Sequence, residues 1–336
     1  MVPRGASKAG GYCLLHIANV TLRRLAKAVL PGALLLCVFP ALLPASPGDR
    51  FPLAMKDDRG VTVRLAAPPR RIISLAPSLT EIVYLLGRGT SLVGVTRYCN
   101  FPPAAKALPK IGGVTDPDVE RVVSLAPDVV LCTTDGNPRE KVLALEEMGI
   151  PCFAVDPQDL RSVFATIERL GVLLGAAGRG REEAAGLRRR AQRVRARTAS
   201  GGKETPGVLF VVSTSPVIAA GRGTFMDELV RLAGGRNAAA GFAGRYPRLS
   251  VEDLVSLRPD VIFIAGMTGV ERFGPEVTRW REIPAFRDGA VHTLDGDIVT
   301  RPGPRLVTAL EEIASFLADW RARRVRPEPA GAGGKR

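Results

Sequence analysis

Two stretches of the chain repeat one another at an offset of 132 residues. Segment 119–131 (VERVVSLAPDVVL) and segment 251–263 (VEDLVSLRPDVIF) are identical at eight of thirteen positions. Each copy has the pattern of a short helix, a Pro-Asp turn and a buried strand, with the leucine at its seventh position facing inward. Equivalent units this far apart predict two similar lobes. The alternative is chance reuse of a common helix-turn-strand device.

Short apolar runs separated by amphipathic stretches surround both copies, and this alternation predicts parallel βαβ units. In the first half, strands are predicted at 71–75, 92–95, 129–131 and 152–155, and helices at 77–86, 117–125, 138–148 and 159–174. In the second half, strands are predicted at 208–212, 261–264 and 290–294, and helices at 226–233, 275–282 and 303–324. We expect Ser78 or Thr80 to cap the first helix, because Ser and Thr are favoured capping residues.

Residues 176–200 are mostly Ala, Arg and Glu without Pro, which predicts a helix about 35 Å long that joins the two halves. The 336 residues are enough for two lobes that each have a core. We therefore expect an α/β fold of two similar parallel-sheet lobes joined by one long helix, with a ligand cleft between the lobes. The expected parts are an N-terminal lobe at 60–176, a connecting helix at 177–200, a C-terminal lobe at 205–325 and a basic tail at 326–336.

The formal net charge of +14 is unevenly distributed along the chain. The net positive charge of three segments, 1–30, 179–203 and 321–336, adds up to more than +14. The rest of the chain therefore carries a small net negative charge. Binding to DNA requires Lys and Arg gathered on one face of a folded domain, because they must neutralise phosphates. We therefore expect no nucleic-acid partner, and we interpret the arginines of 179–200 as a solvated helix face.

An uncharged apolar run at 28–47 follows Arg23, Arg24 and Lys27. A basic segment followed by an apolar one is typical of a secretory signal. Residues 1–46 are therefore predicted to be a signal peptide, and an uncleaved membrane anchor is the alternative. Either one predicts an exported protein, in the periplasm or on the outer face of the cytoplasmic membrane.

Residues that carry catalytic or metal chemistry are scarce. The chain has 2 His, of which only His292 lies outside the N-terminal region, so a multi-histidine metal site is excluded. Nucleotide-binding glycine motifs and Gly-x-Ser-x-Gly are both missing from the sequence. After the signal, Cys99, Cys132 and Cys152 can form at most one disulfide, and we expect buried free thiols. The sequence therefore predicts no catalytic site and no resident metal.

Several segments within residues 60–325 carry a family resemblance. They are RIISLAPSLTE at 71–81, VGVTRY at 93–98 followed by Pro102 and Pro103, KIGG at 110–113, and the two repeat copies. In these segments the chain resembles the class III periplasmic solute-binding proteins, the vitamin B12 and iron-siderophore group of ABC importers. Within that family the nearest resemblance is to the cobalamin-binding members.

The resemblance implies a monomeric, non-catalytic protein that captures cobalamin or an iron chelate and delivers it to an ABC permease dimer. The residues that it places in the cleft are Tyr98, Tyr246, Asp297, Arg301, Val114 and Thr133. It places Glu120 and Glu252, which share one position of the repeat, on the lobe surfaces that dock onto the permease. A two-fold permease dimer would then meet one glutamate from each lobe.

Val114 and Thr133 stand at positions where cobalamin-binding members have tryptophan, so two large stacking surfaces are missing. A ferric siderophore or haem is therefore an alternative ligand. An alternative of another class is a metal chelatase-like enzyme built on paired lobes. Such an enzyme would need metal ligands that converge on the cleft, for which His292 alone offers little support.

Overall fold

The computed structural model of this protein describes residues 50–199, 204–266 and 282–325. The predicted signal or anchor at 1–46, the basic tail at 326–336 and all but the last residue of the predicted helix 275–282 lie outside them. Within the described ranges, no helix is both long enough and apolar enough to cross a membrane.

The first half is built on a parallel sheet. It begins with an antiparallel hairpin, β1 Leu53–Lys56 and β2 Thr62–Leu65, which was not predicted. The sheet contains β3 Ile72–Ser74, β4 Leu92–Val95, β5 Val129–Thr133 and β6 Cys152–Val155 in the order β4-β3-β5-β6. The alternating helices are α1 Pro77–Leu85, α2 Val119–Ser124, α3 Arg139–Glu147 and α4 Leu160–Leu173. Strands β3, β5 and β6 are buried throughout, as is typical of parallel strands covered on both faces.

The second half has a separate sheet, with five strands among the described residues. They are β7 Gly207–Thr214, β8 Val217–Ala219, β9 Arg236–Asn237, β10 Val261–Gly266 and β11 Val291–Asp295. Their order is β11-β10-β7-β8 with β9 paired to β7, and only β8 is antiparallel to its neighbour. The helices are α6 Phe225–Leu232, α7 Val251–Leu257, α8 Pro284–Arg287, α9 Gly296–Val299 and α10 Leu306–Val325. The predicted α/β fold is confirmed, with one unpredicted antiparallel edge strand.

The connecting helix α5, Ala177–Ala199, packs against helices of both halves. A Cβ atom on Gly171 would lie 3.0 Å from Gly180 Cα, so the backbones of α4 and α5 touch at these glycines. Toward the second half, Arg190 Nη2 lies 2.6 Å from Glu311 Oε2 on α10. The predicted long helix between the two halves is therefore confirmed.

The Pro-Asp turn of the repeat makes the same hydrogen bonds in both halves. In the first copy, Asp128 accepts a bond from Arg71 N at 2.9 Å, and its own N–H donates to Arg71 O at 2.8 Å. In the second copy, Asp260 accepts a bond from Gly207 N at 2.7 Å, and its N–H donates to Gly207 O at 2.7 Å. Each aspartate thus binds the turn to the start of a neighbouring strand. This shared geometry favours true structural repetition over chance reuse.

In the helix of each repeat copy, the most deeply buried residue is the one at the fourth position of the repeat. Val122 and Leu254, at the fourth position, are fully buried. Leu125 and Leu257, at the seventh position, are only partly buried. Both leucines nevertheless pack against the hydrophobic core of their half, so the prediction that the seventh residue faces inward is confirmed, and their partial exposure follows from their place at the helix end.

The prediction that Ser78 or Thr80 caps α1 is wrong. The N-cap residue is Ala76, and no side chain caps the helix. Pro77 occupies the first turn, where its missing N–H removes one of the donors that a cap would satisfy. The Thr80 hydroxyl instead donates to Ser74 Oγ at 2.9 Å inside the core.

The three described cysteines are free and buried, as expected. Burial raises the pKa of the Cys132 thiol to about 12 and also raises the pKa of Cys152. Both thiols are therefore protonated near neutral pH, and a protonated, buried thiol is chemically inert.

The eighth residue of each repeat copy has a left-handed backbone, with φ of 41° at Ala126 and 43° at Arg258. A Cβ atom is unfavourable in this conformation, so Ala126→Gly should raise the free energy of unfolding by about 0.5 kcal/mol in urea titrations. Ala318→Gly, at an exposed site within α10, should instead lower it by about 1 kcal/mol. A loss of stability in Ala126→Gly would contradict the left-handed assignment.

Candidate functional site

A pocket opens where loops leave the carboxyl ends of β3, β4 and β5. Neighbouring loops diverge at this edge of an open parallel sheet and leave a crevice between them. The pocket has a volume of about 270 Å³. Its walls are Ala76, Pro77, Ser78, Tyr98, Val114, Thr133 and Asp135 from the first half, and Thr300, Arg301 and Pro302 from the second. Both halves of the molecule therefore form this cleft.

The structure brings most of the predicted ligand residues together. Those that line the pocket are Tyr98, Val114, Thr133 and Arg301. Asp297 lies beside them, since its Oδ1 is 2.5 Å from Arg301 Nη2. Tyr246 is carried by a separate loop of the second half.

Asn137 holds three segments of the cleft wall in place. Its Oδ1 accepts a bond from Thr133 N at 2.8 Å, and its Nδ2 donates to Leu75 O at 3.0 Å and to Val114 O at 2.8 Å. The side chain is buried, so these bonds are not replaced by water. Asn137 was not predicted as a site residue. The available signal was its place in a Gly-Asn-Pro turn directly after a buried strand.

Tyr98 presents an open aromatic face on the wall of the first half. Its side chain is 51% exposed. The guanidinium carbon of Arg97 lies 5.7 Å from the centre of the ring. Arg97 is itself paired with Asp116, at 2.7 Å between Nη2 and Oδ2. The ring is thus supported from one side while about half of its surface stays accessible to a ligand.

Tyr246 lies on a loop that is bound tightly to the second sheet. Gly221 N donates to Arg245 O at 2.8 Å, and a Cβ atom on Gly221 would lie 2.7 Å from Gly244 O. Only glycine allows so close an approach. Partial burial raises the pKa of the Tyr246 hydroxyl, although the positive charge of Arg245 opposes this shift. Tyr246 is not among the residues that line the pocket, so the structure does not bring this predicted ligand residue together with the others.

A buried carboxylate joins the two halves next to the pocket. Glu81 on α1 exposes only 3% of its side chain and accepts two bonds from Arg305, at 2.9 Å from Nε and 2.6 Å from Nη2. Arg301 Nη1 lies 3.6 Å from the same carboxylate. Burial lowers the pKa of Arg305, but the Glu81 carboxylate, together with the charges of Asp295 and Asp297, more than offsets this, so the pKa is raised and the guanidinium stays charged. This network was not predicted, although an acid within an apolar helix segment was a signal for it.

Arg301 links this network to the cleft. It donates to Asn100 Oδ1 at 2.8 Å and to Tyr98 O at 3.2 Å, both in the first half. Asn100 in turn donates to Asp297 Oδ2 at 2.5 Å. Asp297 and Arg301 therefore bond across the halves, which a purely local ion pair would not do. Arg301 exposes 13% of its side chain and Asp297 40%, so Asp297 is the more accessible to a ligand.

Glu120 and Glu252 lie away from the pocket, in the first turns of α2 and α7. Both are exposed. Neither carboxylate has a hydrogen bond or ion pair with any described residue. They occupy equivalent positions of the two halves and are free to meet a partner.

The described ranges hold no group of three or more His, Cys, Asp or Glu side chains that could bind a metal ion. His292 lies in β11, outside the pocket walls, and stacks on Phe316 with 4.1 Å between ring centroids. Burial and the nearby charge of Arg323 lower its pKa, so the imidazole is neutral at pH 7. In this part of the chain the chelatase-like alternative lacks the convergent ligands that it would need.

Known proteins with related sequences share this fold. Residues 72–298 match a family model described as periplasmic binding protein. The chain is 32% identical over 273 residues to an uncharacterized ABC transporter substrate-binding lipoprotein of Bacillus subtilis, covering 80% of this chain and 86% of that protein. The solved vitamin B12 binding protein of Vibrio cholerae has a TM-score of 0.68 and 29% identity, over 76% of this chain and 98% of that one. A periplasmic heme-binding protein from Roseiflexus sp. RS-1 also has a TM-score of 0.68, with 30% identity, over 75% and 99%.

Removing one partner of the Glu81–Arg305 pair leaves a buried charge uncompensated. We therefore expect Glu81→Ala and Arg305→Ala each to lower the free energy of unfolding by about 3 kcal/mol. The double variant should lose at least about 1.5 kcal/mol less than the sum of the two, as measured by urea unfolding of all four proteins. The exposed pair Arg97–Asp116 is the control and should couple by less than about 1 kcal/mol. Additive effects at Glu81 and Arg305 would show that the pair does not join the halves.

Proposed function

The chain belongs to the periplasmic binding protein family, and from that premise we propose that it is the extracytoplasmic substrate-binding protein of an ABC importer. It captures cobalamin or a related corrinoid and delivers it to the permease without catalysing a reaction. The observation that carries this proposal is the open pocket formed by both halves, with the half-exposed ring of Tyr98 on its wall. The vitamin B12 binding protein of Vibrio cholerae, which shares the fold, supports the choice of ligand.

The two tyrosines would provide the main ligand contacts. Tyr98 and Tyr246 are each 51% exposed, and an aromatic side chain offers a large apolar surface to a planar ligand. Asp297 and Thr133 would add hydrogen bonds at the edges of the ligand. Because the tyrosines belong to different halves, a ligand that touches both stabilises the arrangement of the halves that binds it better.

Haem is the second candidate ligand. Val114 and Thr133 line the pocket and provide no aromatic surface, which weakens the argument for a corrinoid. The heme-binding protein from Roseiflexus is as similar to this chain as the vitamin B12 binding protein is. A ferric siderophore is a further candidate of the same class, because it is also a metal chelate of comparable size.

Parallel calorimetric titrations with cyanocobalamin, haem and a ferric siderophore test the proposal. Saturable binding is expected, with cyanocobalamin the tightest. Tighter binding of haem would assign the protein to the second candidate, and failure to bind any of the three would contradict capture of a metal chelate. The bound ligand should be recovered unchanged after denaturation, whereas its conversion would favour the chelatase-like enzyme.

We place the protein outside the cytoplasmic membrane, as a monomer. The Bacillus subtilis relative is named a lipoprotein, and the vitamin B12 and heme-binding proteins described above are named periplasmic. Cell fractionation checks the location, and the mass of the mature chain distinguishes a cleaved signal at 1–46 from a retained anchor. Light scattering of the purified protein checks the oligomeric state.

The aromatic face of Tyr246 is predicted to matter more than its hydroxyl. Tyr246→Ala should weaken ligand binding at least tenfold, which corresponds to about 1.4 kcal/mol, without unfolding the protein. Tyr246→Phe keeps the ring and should bind nearly as well as the wild type. Calorimetric titration of both variants is the measurement. Equal losses in the two variants would contradict stacking and point to the hydroxyl.

The two lobe-surface glutamates are predicted to act in delivery rather than capture. The double variant Glu120→Ala/Glu252→Ala should bind the ligand normally and should abolish its uptake by cells. Glu140→Ala/Glu147→Ala removes the same charge from exposed positions of α3 and should transport normally. Unimpaired uptake by the Glu120/Glu252 variant would refute the docking role.

A further inference from the structure

Helix α5 carries eight arginines between residues 179 and 197, and the proposed capture function uses none of them. Part of this charge is neutralised within the protein, since Arg188 is paired with Glu168 and Arg190 with Glu311. One side of α5 faces a groove that it forms with α4 and α6, with a volume of about 290 Å³. The residues that line this groove are distinct from those that line the cleft.

The groove has an apolar floor and a basic rim. The floor consists of Leu160, Phe164, Ala191 and Leu232, which are all buried or half-buried. The rim consists of Arg161 on α4 and of Arg188 and Arg195 on α5. Arg161 and Arg195 are exposed, and neither guanidinium has a hydrogen bond or ion pair with the described part of the chain. Two free cations therefore border an apolar surface.

The acidic groups around the groove accept hydrogen bonds from backbone N–H groups. Glu228 of α6 lines the groove, and its Oε2 accepts a bond from Leu160 N at 2.9 Å. Asp159 lies near Arg161 but caps α4, accepting a bond from Ser162 N at 2.7 Å. Both carboxylates are thus held by backbone N–H groups at the positive amino end of α4. This leaves Arg161 and Arg195 available to an external anion.

We propose that this groove binds an anionic phospholipid, with the phosphate between Arg161 and Arg195 and an acyl chain on the apolar floor. Guanidinium groups match phosphate oxygens in both charge and hydrogen-bond geometry. Association with lipid grows with the apolar area buried and with the negative charge of the headgroup. A free phosphate would use the rim alone, so the floor favours an amphiphile. Because α4 belongs to the first half and α6 to the second, the bound lipid contacts both halves.

Titration of the full chain with dihexanoyl phosphatidylglycerol, a soluble lipid, tests this site. The wild type should bind dihexanoyl phosphatidylcholine, whose headgroup has no net charge, about tenfold more weakly. Glycerol phosphate, which has the phosphate but no acyl chain, should also bind at least about tenfold more weakly. The variant Arg161→Gln/Arg195→Gln should bind dihexanoyl phosphatidylglycerol about tenfold more weakly than the wild type.

The matched control is Arg189→Gln/Arg193→Gln. It removes the same charge from exposed positions of α5 that do not line the groove, and it should bind the lipid like the wild type. The wild type and both double variants contain the apolar run at 28–47, so any lipid binding by that run is the same in all three. Equal losses in the two double variants would reveal diffuse attraction to the helix and would overturn the proposal.

Two further outcomes would also overturn the lipid site. Glycerol phosphate that binds as tightly as the lipid would make the groove a phosphate site. Failure of the wild type to bind dihexanoyl phosphatidylglycerol would leave no site at all. The Arg161→Gln/Arg195→Gln variant should keep the wild-type melting temperature and the wild-type affinity for the cleft ligand. These controls separate a failure of the lipid site from misfolding and from a failure of the capture function.

Discussion

The cleft depends on the buried carboxylate of Glu81. It lies on a helix of the first half, and both of its oxygens accept bonds from Arg305 of the second half. Buried charges are stable only when they are paired, so the halves cannot part at this point unless each charge finds another partner. Arg301 lies close to the same carboxylate and also lines the pocket. One network therefore holds the halves together and shapes the surface that a ligand meets.

The two sheets supply a scaffold, and the loops supply the chemistry. The repeated Pro-Asp turns anchor a strand in each half in the same way, with Asp128 and Asp260 in equivalent roles. The cleft loops have no such symmetry. Asn137 fixes the wall of the first half through three hydrogen bonds, whereas Gly221 allows the Tyr246 loop to approach the second sheet closely. Two similar scaffolds thus carry dissimilar loops.

Family membership defines the class of function, while individual side chains define the ligand. Proteins with this fold are named for vitamin B12 and for heme, so the architecture alone does not choose between them. The proposed choice of a corrinoid rests on Tyr98 and Tyr246, and Val114 and Thr133 are the residues that argue for a different chelate. The groove beside α5 lies outside this question, because its basic rim and apolar floor are separate from the cleft.

Much of the fold could be predicted from the sequence, because helix and strand patterns depend on residues that are close along the chain. The buried strands β3 to β6 and the long helix α5 were predicted on this basis. Strands β8 and β9 were missed, and β9 has only 2 residues, which are too few to show a pattern. The cap at Ser78 or Thr80 was wrong because Pro77 already begins the helix.

The cleft residues Tyr98, Val114, Thr133 and Arg301 were named from a family resemblance, and the structure brings them to one pocket. The local sequence marked Glu81 and Asn137 as unusual, but it did not identify their partners, which are Arg305, 224 residues away from Glu81, and Leu75 and Val114 for Asn137. The sequence by itself thus determined two α/β halves and the helix between them. Only the tertiary structure decided which polar groups meet in the cleft, because electrostatic and hydrogen-bond partners are set by distance in space and not by distance along the chain.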